Sequence, residues 1–404
     1  MTESPSAAVA AAGVAPSVRP LPGRAEVVVV GGGVVGCSVA FHLAEAGVDV
    51  LLVERDSLGS GSSSKAAGGV RACFSDPVNV ALGKRSLALL EDIGRRPGGD
   101  IDLRKVGYLF LLTTSEQVEE FGRAVEVHNA QGVRSSLVGA EEAHRISPLA
   151  NVDDVLAACW SPDDGTCTPE ALVQAYAAGA RRSGARLVTG AEVVGADVAG
   201  GEVRGVTVRH GGEDHEVATG TVVVAAGAWS ASVGDLLGFE LPVRPLRREI
   251  VVTGPVAGMP ASVPMTIDAG STFYFHGEGQ GLLAGWSDPS VPFGFDLGRD
   301  PAYLEGLVHQ AEHRAPRLLE ADVIGGWAGL YEVSPDHDGI VGELGRVSRV
   351  LYATGFSGHG FLQAPALGEV LRDLVLRREP AIDVSALSVD RFGRDERRDE
   401  RHLV

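Results

Sequence analysis

The most restrictive feature of the sequence is a short apolar strand that ends in a glycine turn. Residues 26–30 read EVVVV, and residues 31–36 read GGGVVG. Apolar residues then recur at helical spacing up to Gly47, and residues 49–54 (DVLLVE) form a second short apolar run. A strand, a helix and a strand within about 30 residues predict a βαβ unit in a parallel sheet.

The glycine turn has the GxGxxG spacing of a dinucleotide-binding motif. The first glycine allows the tight turn, the second lets the backbone approach a diphosphate, and the third packs the helix against the strand. The helix N-terminus offers free N–H groups and a partial positive charge to that diphosphate. Glu54, at the end of the second strand, would accept both ribose hydroxyls and repel a 2′-phosphate, which favours FAD or NAD over NADP. The predicted dinucleotide contacts are Gly31, Gly33, Val34, Val35, Gly36, Glu54 and Arg55.

Composition excludes several classes of protein. The chain has 404 residues, of which 45% are hydrophobic and 22% charged, and its formal net charge is −18. That charge opposes binding to nucleic acid or to an anionic membrane surface. No apolar run reaches the ~18 residues of a membrane helix, so we expect no membrane insertion.

Cysteine and lysine usage indicates the cellular setting. The four cysteines, at positions 37, 73, 159 and 167, lack metal-ligand spacing. We therefore expect no metal site, and reduced thiols in a cytoplasm. Lysine occurs only at positions 65, 84 and 105 while arginine is abundant, which suggests a bacterial, GC-rich genome.

The chain is too long for one ordinary hydrophobic core, so we expect two joined domains. Further apolar strands, such as 222–225 and 350–353, indicate that the nucleotide-binding sheet is resumed late in the chain, whereas runs such as YLFLL and EIVVT fit a more antiparallel sheet. The predicted fold is α/β (α+β overall), a Rossmann-like domain with an inserted, mostly antiparallel substrate domain. The predicted boundaries are a disordered tail at 1–24, the nucleotide domain at 25–100, 151–240 and 326–390, the substrate domain at 101–150 and 241–325, and a solvated, charged C-terminal tail at 391–404.

Four segments carry a resemblance to a known family. They read ERDSLGSGSSSKAAGGVR (54–71), VVVAAGAW (222–229), GWAGLYEVSPD (326–336) and GFSGHGFLQAP (355–365). The chain resembles the D-amino-acid oxidase and sarcosine oxidase superfamily of FAD-dependent amine oxidoreductases over nearly its full length. It is most similar to the branch of sarcosine oxidase β subunits and dye-linked proline dehydrogenase β subunits.

The resemblance implies FAD as the cofactor and extends the list of its contacts. The late glycine turn precedes a helix and aims free N–H groups outward, so an anion belongs there, and in a flavoenzyme it would be the N1–C2=O side of the ring. We expect contacts with the ring from Gly358, His359, Gly360, Phe361 and Leu362. By resemblance, further contacts are Ser63, Ser64, Lys65, Gly68, Gly69, Val193, Ala226, Gly227 and Trp229.

Oxidation of an amine to an imine requires a clamp that holds the substrate over the flavin. Arg71 is the candidate for binding a substrate carboxylate, because a planar guanidinium pairs both oxygens. By resemblance, Tyr274, Tyr331 and His359 lie at the substrate pocket. Relatives attach FAD through a cysteine where this chain has Gly329, or through a histidine near Lys65, so noncovalent FAD is predicted.

The predicted activity is FAD-dependent oxidation of the CH–NH bond of an amino acid or secondary amine. The partners are a small amine substrate and O₂ or another electron acceptor, with a homo- or hetero-oligomer left open. Leu283 and Leu362 stand where monomeric sarcosine oxidases carry lysines, so the acceptor and the substrate size stay open. The alternatives are a flavin-binding assembly or partner subunit with little turnover, and a tailoring oxidase acting on an amine within a larger metabolite.

Overall fold

The computed structural model describes residues 20–393, 398 and 400–402. The strands in these residues are β1 Val27–Val30, β2 Val50–Val53, β3 Gly69–Val70, β4 Tyr108–Leu112, β5 Ser136–Val138, β6 Ala157–Ser161, β7 Gly165–Thr166, β8 Arg186–Val188, β9 Ala191–Ala199, β10 Glu202–His210, β11 Glu213–Ala218, β12 Val222–Val224, β13 Arg244–Thr253, β14 Met265–Asp268, β15 Tyr274–Glu278, β16 Gly281–Gly285, β17 Val323–Val333, β18 Ile340–Glu343 and β19 Val350–Thr354. The α-helices are α1 Val34–Glu45, α2 Pro77–Glu91, α3 Ser115–Ala130, α4 Ala140–Ile146, α5 Pro169–Arg182, α6 Ser230–Leu236, α7 Pro301–Arg314 and α8 Gly360–Val375.

A six-stranded sheet in the order β18-β19-β12-β1-β2-β8 contains the strands that the sequence predicts for a nucleotide-binding domain. Its strands β1, β2, β8, β12 and β19 run parallel, and β18 is antiparallel at one edge. The valines of β1 are buried on both faces, which is why the run shows no polar alternation. Val27 and Val29 pack in the core with α1, α5 and α8, whereas Val28 and Val30 pack with β9 and β10 of a separate three-stranded sheet.

An eight-stranded sheet in the order β17-β13-β16-β15-β14-β4-β6-β5 forms the second domain. All of its pairings are antiparallel except β14 with β4. Alternate residues divide between two cores. Leu109 and Leu111 pack in the core that includes Leu307 of α7, while Tyr108 and Phe110 lie in the core on the opposite face.

Two strands belong to a different sheet from the one that the predicted domain boundaries imply. Residues 151–240 and 326–390 are predicted to belong to the nucleotide domain, but β6 pairs with β4, and β17 pairs with β13, in the eight-stranded sheet. Both strands lie near a boundary, and their partners are distant in sequence. Local patterns therefore indicate a strand at these places without indicating which sheet it joins.

The predicted tails fall partly outside the described residues. Residues 1–19 lie outside them, as do 394–397, 399, 403 and 404. In the described part of the C-terminal segment the expectation of a solvated block is wrong at Arg391, Glu400 and His402, which are buried, whereas Gly393 and Arg401 are exposed. Burial of the two charged side chains is possible because each has polar partners: Arg391 pairs with Asp336, and Glu400 accepts hydrogen bonds from the 75–79 region.

Among the described residues, no helix is both long and apolar enough to cross a membrane.

Candidate active site

A cavity of about 830 Å³ extends from the nucleotide sheet to the inner face of the eight-stranded sheet. Its volume lies within the usual range for sites that hold a small molecule or cofactor. One end is lined by the turn after β1, including Gly31, and the other by side chains of β13, β15 and β17, including Arg248, Tyr274 and Tyr331. A ligand of dinucleotide length can therefore contact both domains.

The turn after β1 has the backbone that a dinucleotide requires. Gly31 has φ +109°, and a Cβ there would lie 2.3 Å from the carbonyl oxygen of Ala225. A Cβ on Gly36 would lie 1.9 Å from the carbonyl oxygen of Gly31, so this glycine allows α1 to pack against the turn. Gly33, at the N-cap of α1, has no side-chain capping hydrogen bond. The turn thus forms a cradle that side chains would fill, and it fits the diphosphate of FAD.

Two side chains order this turn. The Glu54 carboxylate accepts hydrogen bonds from the backbone N–H of Gly32 at 2.7 Å and of Asp56 at 2.8 Å. The hydroxyl of Ser63 accepts one from the N–H of Val34 at 2.9 Å. A carboxylate has about four acceptor positions, so Glu54 keeps capacity for ribose hydroxyls.

A second glycine turn lies between β19 and α8. Gly358 has φ +106°, and a Cβ there would lie 2.7 Å from Cε2 of Tyr331. His359 precedes α8 without a side-chain capping hydrogen bond, and residues 358–362 line the cavity. The first N–H groups of a helix lack intrahelical partners and carry a partial positive charge, so this turn fits the electron-rich side of an isoalloxazine ring.

The far end of the cavity is lined by tyrosines around one arginine. The Arg248 guanidinium carbon lies 5.5 Å from the centre of the Tyr331 ring. Its Nε is buried, no residue in the described part of the chain accepts a hydrogen bond from it, and no carboxylate pairs with the guanidinium there. Burial lowers the pKa of Arg248, while burial raises the pKa of Tyr274 and Tyr331 above the usual value. At neutral pH the tyrosines are therefore neutral hydrogen-bonding groups beside a cation.

Arg71 lines the same cavity in a different setting. It is buried, it donates to the carbonyl oxygens of Cys73 and His402, and its guanidinium lies over the rings of Phe74 and Phe110. Part of its hydrogen-bonding capacity is thus used within the protein. Arg248 has more of its donors available for a ligand anion.

The C-terminal segment contributes to the wall behind Arg71. The Glu400 carboxylate accepts hydrogen bonds from the Ser75 hydroxyl at 2.7 Å and the Asn79 amide at 3.0 Å. His402 stacks on Phe121 with ring centres 3.9 Å apart. Burial, together with nearby Arg71, lowers the pKa of His359 to about 3. His359 is therefore neutral near pH 7, so the positive charge of the cavity comes from Lys65 and the arginines that line it.

The structure brings most of the sequence-predicted residues to one cavity. Gly36 and Ser64 do not line it: Gly36 packs under the turn, and a Cβ on Gly59 would lie 2.8 Å from the hydroxyl oxygen of Ser64. The predicted residues that do line the cavity are Gly31, Gly33, Val34, Val35, Glu54, Arg55, Ser63, Lys65, Gly68, Gly69, Arg71, Val193, Ala226, Gly227, Trp229, Tyr274, Tyr331, Gly358, His359, Gly360, Phe361 and Leu362.

Sequence reasoning missed Arg248, Tyr108 and Glu332, which also line the cavity. A signal existed for Arg248. In the strand-like run after Pro245, Arg248 lies two residues before Ile250. The two side chains are therefore on the same face of the strand, and the apolar Ile250 lines the cavity. An arginine in that register indicates a buried cation.

Comparisons with known proteins agree with this geometry. Residues 26–374 match the family model described as FAD dependent oxidoreductase. Mitochondrial dimethylglycine dehydrogenase of Mus musculus is 32% identical over 396 residues, which cover 92% of this chain and 44% of that protein. Glycine oxidase of Geobacillus kaustophilus is 31% identical over 91% of this chain and 97% of its own.

Solved structures show the same similarity. The crystal structure of L-proline dehydrogenase from P. horikoshii superposes with a TM-score of 0.88 and 32% identity, covering 94% of this chain and 100% of that chain. The chain spans less than half the length of the mitochondrial dimethylglycine dehydrogenases it matches.

Proposed function

Because the chain belongs to the family of FAD-dependent oxidoreductases, we propose that it oxidises the CH–NH bond of an amino acid or secondary amine to an imine. FAD, the cofactor of this family, accepts the hydride when it is bound. The observation that carries the proposal is that one continuous cavity joins the turn at Gly31 to the far end, where Arg248 lies. That end of the cavity offers a cation and tyrosine hydroxyls, which match the carboxylate and amine nitrogen of such a substrate.

Arg248 is the proposed carboxylate anchor, in place of the sequence-based candidate Arg71. A guanidinium binds a carboxylate with two parallel hydrogen bonds, and such charge-assisted bonds are stronger in a site that excludes water. A buried cation without a counter-ion is unfavourable by itself, so a substrate anion compensates its burial. Tyr274 and Tyr331, held neutral, are proposed to orient the amine end.

We propose that FAD is held noncovalently. A Cβ on Gly329 would lie 2.7 Å from Cβ of Lys65, so a larger residue at position 329 would require the 63–65 turn to move. Neither residue is a nucleophile of the kind that attaches flavin in the relatives that the sequence resembles. Acid precipitation of the purified protein is expected to release all of its flavin, and flavin that stays with the precipitate would contradict this assignment.

The proposed reaction is tested by mixing the yellow protein anaerobically with N-alkyl amino acids and D- and L-amino acids. The expected result is loss of the visible flavin absorption band with at least one of them. A matched amine without the carboxylate, tested at the same concentration, is expected to react poorly. Bleaching by dithionite but by no amine would contradict turnover and favour a flavin-binding partner subunit.

The electron acceptor is tested in a separate step. After anaerobic reduction, reoxidation by O₂ is compared with reoxidation by a quinone or a dye. We propose a cytoplasmic, bacterial enzyme, supported by the free, buried cysteines 37, 73, 159 and 167. Cell fractionation with an antibody against the protein checks that location.

A further inference from the structure

A half-buried carboxyl group lies between the two glycine turns of the cavity. Glu332, on β17, lines the cavity and accepts a hydrogen bond from the Thr354 hydroxyl at 3.1 Å. A Cβ on Gly227 would lie 3.4 Å from its Oε2, and a Cβ on Gly360 would lie 3.1 Å from its Oε1. The carboxyl therefore borders the region where a ligand passes from the 227–229 turn to the start of α8.

No cation pairs with this carboxyl in residues 20–393, 398 and 400–402. The ionisable residues on the strands and turns around it are Tyr331 on its own strand, Arg244, Arg247, Arg248 and Glu249 on β13, Tyr352 on β19, Lys65 in the turn packed on β17, and His359 before α8. The groups that stabilise its charged form are the Thr354 hydroxyl and the backbone N–H groups of residues 355 and 356. Burial outweighs them and raises the pKa of Glu332 to about 7.

Two effects of a bound dinucleotide favour the neutral form of this carboxyl. Its diphosphate adds negative charge to the same cavity, and its body removes water from the carboxyl. Both effects disfavour the carboxylate relative to the neutral acid. The neutral acid can also donate a hydrogen bond to an acceptor on the ligand, which a carboxylate cannot.

We propose that Glu332 contacts FAD as a protonated carboxyl group, so that binding of each FAD takes up about one proton. The inference rests on FAD as the occupant of the cavity, and it does not depend on the substrate. The contrasting arrangement is an ionised Glu332 that accepts hydrogen bonds from ribityl hydroxyls, as Glu54 is expected to do for the ribose. That arrangement requires no proton uptake.

The test is calorimetric titration of flavin-free protein with FAD at pH 7.5, in buffers of different ionisation enthalpy. The slope of the observed enthalpy against the buffer enthalpy gives the number of protons exchanged. We expect uptake approaching one proton, and an FAD affinity that falls by up to about tenfold per pH unit above pH 7. A wild-type protein that binds FAD without proton uptake overturns the proposal and leaves the proposed function intact.

Two variants locate the proton. Glu332→Gln imitates the neutral acid, so it is expected to bind FAD with little proton uptake and to lose the pH dependence above pH 7. Glu54→Gln removes another carboxylate of the cavity and is expected to bind FAD more weakly while keeping the proton uptake. Uptake that persists in E332Q, or folded E332Q that binds FAD more than tenfold weaker at pH 6.5, contradicts the assignment. Circular dichroism establishes folding, and the wild-type slope decides the question if E332Q does not fold.

Discussion

At the scale of single residues, Arg248 is a half-buried cation whose Nε is buried, and it has no carboxylate partner among the described residues. Replacement by methionine keeps much of its volume and removes its charge. Because a hydrogen bond to a charged group contributes about 1.5–3 kcal/mol, Arg248→Met is expected to raise KM for a carboxylate substrate about 10- to 100-fold. Steady-state kinetics measure the change. The stability of the protein should stay equal or rise, since the uncompensated charge is gone.

Arg247 supplies the matched control for this experiment. It is adjacent on β13, but its guanidinium pairs with Glu249 and Asp296, and it does not line the cavity. Arg247→Met should leave KM unchanged. If R71M raises KM while R248M does not, the carboxylate anchor is Arg71 and the assignment to Arg248 is wrong.

Glu400 carries a residue-scale prediction about acid stability. Despite its burial, His402 and His359, which become charged only at acid pH, and the hydrogen bonds from residues 75–79 lower its pKa to about 2. A carboxyl whose pKa is lower in the folded state than in the unfolded state stabilises the fold at pH values above its unfolded pKa of about 4.3. This contribution is lost as the pH falls towards 2. Glu400→Gln should therefore lower the free energy of unfolding at pH 7 by about 1–3 kcal/mol. The deficit should shrink below pH 4 in urea titrations, and a constant deficit would contradict the mechanism.

At the scale of elements, the turn between β1 and α1 tolerates no side chain at its third glycine. A Cβ on Gly36 would lie 1.9 Å from backbone, so Gly36→Ala must push α1 away from β1. We expect loss of at least 100-fold in FAD affinity, because the N–H groups at the start of α1 no longer converge on the diphosphate. Quenching of FAD fluorescence measures the affinity.

Gly220 is the control glycine for this variant. It precedes β12, and a Cβ there would meet no atom within 4 Å. Gly220→Ala should bind FAD like the wild type. Equal affinities of G36A and the wild type would show that the packing of α1 on the turn does not govern cofactor binding.

The elements that the sequence predicts well are those whose signal is local. The strand, turn and helix around Gly31 and the late helix after Gly358 lie where the sequence places them, because glycine and apolar spacing determine them over a few residues. The sheet of β6 and β17 and the burial of Glu400 depend on partners far away in sequence. Arg248 combines a local and a distant determinant. Its strand can be predicted from the local sequence, while its role depends on strands that are distant in sequence.

At the scale of the whole molecule, the cavity lies between two sheets that have separate cores. The nucleotide sheet supplies the turns at Gly31 and Gly358, and the eight-stranded sheet supplies Arg248 and the tyrosines. Since FAD would contact both walls, its binding energy adds to the association of the domains as well as to the stability of each. Without cofactor, the association of the two domains lacks this contribution.

This arrangement predicts how cofactor changes unfolding. With FAD at 100 times its Kd, the folded state gains about 2.7 kcal/mol, which for a chain of 404 residues corresponds to a rise in Tm of about 3 °C. Differential scanning calorimetry should show one transition with FAD, moved up as a whole, and the Gly36→Ala variant should shift by about 0.5 °C or less at the same concentration. A rise confined to one of two separate transitions would mean that FAD stabilises a single domain, and that the cavity does not join the two sheets into one cooperative unit.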